Sequence, residues 1–334
     1  MIEMAETLAG KRVWVAGHRG MVGSAIARRL ASEDCDILTV GHDELDLTRQ
    51  EPTEAWVKRN RPDVIFVAAA RVGGILANAT YPADFLYENL MIAVNVMSAA
   101  RNAGVGKLVW LGSSCAYPRE AAQPIVEESL LTGPLEVTNE AYAIAKIAGI
   151  MLAKAYSGQF GLRFITAMPT NLYGPNDNFD PRTAHVLPAL VRKIHEAKEA
   201  DLQNVTLWGS GRPRREFLHA DDLADACVFL VKKYEEASPI NIGSGHEISI
   251  RSLAELVAEV VGYKGAFVMD LSKPDGTPRK LLDTRKMDKL GWRPTIPLRQ
   301  GVEGFYREWL SRGGSCASSK TSASRPLAVA DRSR

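Results

Sequence analysis

The chain has 334 residues, 46% hydrophobic and 24% charged, the balance of an ordinary globular protein long enough for one large domain or two coupled ones. A net charge of +2 without a basic block argues against nucleic acid as the main partner, and no apolar run reaches the length of a membrane span. Cys35, Cys115, Cys227 and Cys316 lie far apart and form no CxxC pair, so neither a metal site nor a disulfide framework is expected, and a reducing cytoplasm is the expected setting.

The opening MIEMAETLAGKRVWVAG lacks the basic-then-apolar pattern of a secretory signal, and its run RVWVAG (12–17) reads as a strand. CDILTV (35–40), DVIFVAAA (63–70), KLVWLGSS (107–114) and FITAMPTNLYG (164–174) follow. Each is almost continuously apolar, as strands buried on both faces are in parallel sheets. Helical stretches at 21–32, 51–60, 83–103 and 139–158 separate them. This order predicts an α/β fold, a doubly wound Rossmann-type parallel sheet.

After residue 175 the texture changes. HVLPALVRKIHEAK reads as a helix, VTLWGSG as a short strand with a turn, and HADDLADACVFLVKKYE as a helix whose acidic start suits the helix dipole. SPINIGSG reads as a strand returning to the main sheet, and SIRSLAELVAEVVGY as an amphipathic helix. The predicted division is a cofactor-binding domain over 1–175 with 220–245 returning to it, and a smaller mixed α/β substrate-binding domain from 176–219 and 246–312. The tail, 313–334, is rich in Ser, Ala and charge, which predicts disorder.

VAGHRGMVGSAIARRL carries Gly17, Gly20 and Gly23 between a strand and a helix that opens with Met21 and Val22. Glycines there allow a tight turn and close backbone approach to a pyrophosphate, and the helix N-terminus offers free N–H groups and a favourable dipole. The pattern predicts dinucleotide binding. No acidic residue follows the second strand directly to meet a ribose 2′-hydroxyl; instead Arg19 lies in the loop and His42 follows that strand. Arginine suits a 2′-phosphate, so the expected cofactor is NADPH, with Asp46 placed near the adenine.

NEAYAIAKIAG sets Tyr142 and Lys146 at i,i+4 on one helix face. An adjacent ammonium and a positively charged nicotinamide are expected to lower the phenol toward neutrality, where it exchanges a proton with a carbonyl oxygen. Ser113 or Ser114, at the end of an upstream strand, would bond the same oxygen.

These stretches, together with AAARVGGILANATYPADF, LGSSCAYP, MPTNLYGPNDNFDP, HVLPALVRK, WGSGRPRREFLHADDLADA and KPDGTPRKLLD, span about residues 11–310. On them the chain resembles the extended short-chain dehydrogenase/reductases, a family acting largely on nucleotide sugars. Within it the resemblance is to the 3,5-epimerase-4-reductases of GDP-4-keto-6-deoxy-D-mannose, which invert C3 and C5 and then reduce the C4 ketone with NADPH.

Both ring protons flank the ketone, so removing either gives an enolate whose oxygen Tyr142 and a serine can stabilise. Inversion needs a further base and acid, and the resemblance implies Cys115 as base and His185 as acid. Both titrate close enough to neutrality for proton transfer. It also implies that Pro169, Asn171, Leu172, Lys146 and His185 line the cofactor, and that Lys193, Trp208, Arg215 and Asp275 hold the nucleotide sugar. A homodimer formed through the helices at 83–103 and 139–158 is the family's usual assembly. The alternatives are another nucleotide-sugar epimerase or dehydratase, although SSCAYP lacks the acidic residue a dehydratase wants, or a non-catalytic NADPH-binding sensor, although such proteins can dispense with the Tyr–Lys pair.

Overall fold

A computed structural model describes residues 7–273 and 275–314; Cys316 and the tail from 315 onward, with the disorder expected there, lie outside the described residues. The first half alternates β1 (Arg12–Ala16), α1 (Met21–Leu30), β2 (Asp36–Leu38), α2 (Gln50–Asn60), β3 (Val64–Val67), α3 (Ile75–Thr80), α4 (Pro82–Ala103), β4 (Lys107–Leu111), α5 (Glu140–Phe160) and β5 (Arg163–Pro169). The second half runs β6 (Asn171–Tyr173), α6 (Val186–Glu199), β7 (Asn204–Trp208), β8 (Arg214–His219), α7 (Ala220–Lys233), β9 (Ile240–Ile242), β10 (Glu247–Ser249), α8 (Ile250–Val261), β11 (Ala266–Asp270), β12 (Arg279–Lys280), α9 (Arg285–Leu290) and α10 (Leu298–Ser311).

Six strands form one parallel sheet in the order β2-β1-β3-β4-β5-β9, the doubly wound Rossmann-type arrangement. Alternation along β1 shows why it needs apolar residues on both sides. Val13 and Val15 pack toward α1 and α7, while Trp14 packs toward α2, α4 and α5. Proline at the first position of α4 and left-handed Gly104 after its last turn fix the ends of that helix. Met287 and Trp292 join the core on the α7 side, and the Trp292 indole donates to Asp225 at 2.8 Å.

A second, smaller assembly holds β8 between β10 and β12, with β6 also paired to β8, and β11 runs parallel to β7. Its own core joins Tyr173, Leu190, Phe217, Val257 and Phe305.

The stretch 164–174, expected as one strand, is two. β5 stays in the large sheet to Pro169, beside Ile242 at the end of three-residue β9. The Thr170 N–H still bonds the Ile242 carbonyl at 3.0 Å, and Asn171 then pairs with Phe217 of β8. β9 ends at Ile242, so β5 loses its neighbour on that side and the chain crosses to the second sheet there. The helix expected at 83–103 begins at Pro82 and is preceded by separate α3.

Candidate active site

The glycine loop leaves β1 at the carboxyl end of the sheet. Gly17 has φ +86°, and an ideal Cβ on it would lie 2.6 Å from the Ala69 nitrogen. A Cβ on Gly23 would lie 2.1 Å from the Gly17 carbonyl oxygen, so turn and helix touch backbone to backbone. α1 starts with Met21 and Val22, has no acidic residue in its first turn and has Arg28 and Arg29 in its last. This cradle fits a pyrophosphate on a helix N-terminus. Asn176, from the loop after β6, donates to Ser24 on α1 at 2.8 Å and ties the second assembly to the loop.

Arg19 leans over the end of β2 and donates to Asp43 at 2.7 Å. His42 stands beside this pair, close enough for its charge to act on the Asp43 carboxyl. Asp46, expected near the adenine, accepts from the Thr48 N–H at 2.9 Å and hydroxyl at 2.7 Å and so caps its own turn.

β4 ends beneath the catalytic candidates. Ser113 opens a short turn in which its Oγ accepts from the Cys115 N–H at 3.2 Å, and its side chain faces the Tyr142 phenol. The sequence left Ser113 and Ser114 open; Ser113 is the one facing the phenol, while Ser114 is buried. Phe85 meets the Tyr142 ring edge-on at 6.3 Å. Lys146 donates to the Leu111 carbonyl at 2.9 Å and lies 4.4 Å over the Trp110 ring.

The expected lowering of Tyr142 is not what the structure gives. Burial pushes the phenol up, and the neighbouring Cys115 charge adds to that, while the Ser113 bond opposes it. Burial also pulls Lys146 down to about 7, which weakens the field that was expected to act on the phenol.

Half-buried Cys115 receives Lys280 of β12, whose ammonium donates to the sulfur at 3.8 Å. Arg215 of β8 also lies within electrostatic reach of the thiol, and its guanidinium is pulled down chiefly by burial. Behind them, buried Glu216 accepts from the Gly245 N–H at 2.7 Å and the Leu282 N–H at 3.0 Å, tying β8 to the chain that follows Lys280. Its backbone carbonyl accepts from the Asn171 side chain at 2.8 Å, so Asn171 fastens β6 to β8; Leu172 packs against the main core.

His185 caps the start of α6 with its backbone. The residue is exposed, yet the atoms around its ring desolvate the imidazole and hold it below the usual histidine value. Among the described residues no hydrogen bond or ion pair joins His185 to Cys115 or Tyr142. The loop after β3 comes to it from the other side, where the Gly74 N–H bonds the Thr183 carbonyl at 2.8 Å.

At the far end, Trp208 is 66% exposed at the tip of β7 with the Lys273 ammonium 5.6 Å above its ring. Asp275 accepts from the Ser210 N–H at 2.8 Å and its hydroxyl at 2.6 Å, which hold its carboxyl low. Lys193 donates to the Thr206 carbonyl on the same strand as Trp208. The structure thus gathers Ser113, Cys115, Tyr142, Lys146 and Arg215 around one point and adds Lys280, Phe85 and Glu216. Lys193, Trp208 and Asp275 form a separate group along β7 and the turn after it.

The family model for the NAD dependent epimerase/dehydratase family matches residues 13–243. A GDP-L-fucose synthase of Sinorhizobium fredii is 58% identical over 304 residues, covering 91% of this chain and 97% of that protein. A GDP-6-OMe-4-keto-L-xylo-heptose reductase of Campylobacter jejuni superposes with TM-score 0.87 at 33% identity, over 92% of this chain and 99% of that one. A GDP-L-fucose synthetase of Naegleria fowleri bound to NADP superposes with TM-score 0.84 at 28% identity, over 93% and 98%. Among the described residues no helix is long and apolar enough to cross a membrane.

Proposed function

The chain belongs to the NAD dependent epimerase/dehydratase family, and within it we propose that it works as a GDP-L-fucose synthase, inverting C3 and C5 of GDP-4-keto-6-deoxy-D-mannose and reducing the C4 ketone. The observation that carries this reading is the placement of a thiol beside an oxyanion site: Cys115 lies on the same turn as Ser113, whose side chain faces the Tyr142 phenol.

A ketone oxygen seated between Ser113 and Tyr142 receives two hydrogen bonds. They strengthen as negative charge develops on it, which acidifies the flanking C3–H and C5–H. Cys115, as thiolate, takes a proton from one face, and the S–H bond forms as the C–H bond breaks. His185, held below the usual histidine value, gives up readily a proton it has taken from solvent and delivers it to the opposite face; the thiol releases its proton to solvent before the second inversion. Lys280 and Arg215 bring positive charge to the sulfur that acts as the base.

The glycine cradle and Arg19 would hold NADPH, which supplies the hydride for C4 when bound. Tyr142 gives its proton to the C4 oxygen. A phenol pushed up by burial stays protonated until that step, which suits a donor. Lys146 fixes the floor of the site through the Leu111 carbonyl. One oxygen site serves enolisation and reduction, so the sugar need not leave between them. Lys193, Trp208, Arg215 and Asp275 are the groups proposed to hold the nucleotide sugar, Lys193 and Arg215 at its diphosphate and Trp208 on a flat ligand face.

The acting species is a homodimer. Tyr87 and Val94 on α4, and Ile144 and Met151 on α5, repeat at seven-residue spacing on outward faces and are 40–56% exposed. A working free thiol suits the reducing cytoplasm.

Incubating the purified chain with GDP-4-keto-6-deoxy-D-mannose and NADPH should consume the reduced nicotinamide and yield GDP-L-fucose by product NMR. Absence of nicotinamide oxidation with that ketone would contradict the assignment.

A further inference from the structure

The end of β2 carries an opposed pair of charges where a single cation was expected. Asp43 Oδ1 accepts from Arg19 Nη1 at 2.7 Å. The pair occupies the space a side chain at 41 would take, since an ideal Cβ on Gly41 would lie 2.3 Å from Asp43 Oδ1 and 2.7 Å from Arg19 Cζ. Both side chains remain open to a ligand, at 63% and 67% exposure. β2 lies next to β1, whose end carries the glycine loop, and in a sheet of this kind the adenosine ribose rests at the tip of the second strand.

A 2′-phosphate arriving there meets Arg19 already shared. The guanidinium fork has donors enough for both partners, but the Asp43 carboxylate and the phosphate repel each other at that distance. A plain ribose 2′-hydroxyl is neutral and carries a proton that a carboxylate accepts. We propose that Asp43 is a specificity-determining residue for the cofactor: as internal counter-ion to Arg19 it weakens recognition of a 2′-phosphate and improves that of a 2′-hydroxyl, so the chain separates NADPH from NADH less sharply than Arg19 alone would. This rests on the nicotinamide-cofactor part of the proposed function and on no feature of the sugar site.

The test is equilibrium binding of NADPH and of NADH to the full chain, read by tryptophan fluorescence quenching with no sugar nucleotide present. Adenosine 2′,5′-bisphosphate serves as a probe of the phosphate alone. Asp43→Asn should tighten NADPH and the bisphosphate by about two- to fivefold, the size of an exposed charge interaction, and leave NADH unchanged or weaker. The gain should shrink as ionic strength rises. Arg19→Ala should move the NADPH-to-NADH preference the other way. Equal effects on both cofactors, or a loss of NADPH preference in Asp43→Asn, would overturn the inference while leaving the proposed reaction standing. Failure of the parent chain to bind either dinucleotide would overturn both.

Discussion

Lys280 reaches back to Cys115, its ammonium donating to the sulfur at 3.8 Å from a strand near the far end of the chain. Pairing of β12 with β8 makes this possible, because it sets Lys280 beside Arg215 in register. Lys280→Met should therefore slow exchange of the C3 and C5 protons by about tenfold or more, within the range ascribed to acid–base groups, and spare NADPH binding. Proton exchange followed by NMR, alongside an NADPH titration, checks it. Unaltered exchange would return Lys280 to a packing role.

Lys146 stands at about 7 in the folded protein against 10.5 for a free lysine. Below pH 7 folded and unfolded states both hold the proton, and the fold bears the whole cost of a buried ammonium. Between pH 7 and 10.5 the unfolded chain binds the extra proton, so the contribution of this group to stability rises with pH, by about 1.4 kcal/mol per unit. Lys146→Met removes that dependence. The melting temperature of the variant minus that of the parent should be most favourable below pH 7 and fall steadily above it. Thermal scans across that range decide the matter, and a pH-independent difference would count against a neutralised lysine.

Gly23 has no room for a methyl group, with the Gly17 carbonyl oxygen 2.1 Å from an ideal Cβ. Gly23→Ala should push the turn off the helix and weaken NADPH at least tenfold, with a loss of stability of about 1–3 kcal/mol from the forced backbone shift. Gly20, whose Cβ would meet nothing nearer than 3.5 Å, is the control, and Gly20→Ala should be milder on both counts.

Val94→Asp places a charge on the outward face of α4, where Val94 is 40% exposed and faces away from the core. Sedimentation should show the parent as a dimer and the variant as a folded monomer with unchanged far-UV circular dichroism. A parent that sediments as a monomer would remove the dimer from the proposal.

Much of this was legible in the chain itself. Runs such as VIFV and KLVWL, short and rich in β-branched and aromatic residues, read as buried strands, and Tyr142 and Lys146 share a helix face by spacing alone. Lys280 was not legible. Its site lies 165 positions from Cys115, and long-range contacts with no local signature bring it there: the β8–β12 pairing and the bridge between Ile125 and Leu282. β8 itself was missed because RREFLH is short and polar at its start, with its hydrophobic residues supported by a core formed elsewhere in the chain. The behaviour of Lys146 was missed for a related reason. Spacing shows that an ammonium is near a phenol, whereas its charge depends on burial between α5 and β4, which is a tertiary fact.

The central claim is that one oxygen site, with Cys115 beside it, both inverts ring carbons and reduces the ketone. Turnover of GDP-4-keto-6-deoxy-D-mannose with NADPH in D₂O, with NMR of the product, tests it most directly. The parent should give GDP-L-fucose carrying deuterium at C3 and C5, and Cys115→Ala should lose that deuteration together with the inverted product. Reduction at C4 in the parent without deuterium at either ring carbon would contradict the account and leave Cys115 as a packed thiol.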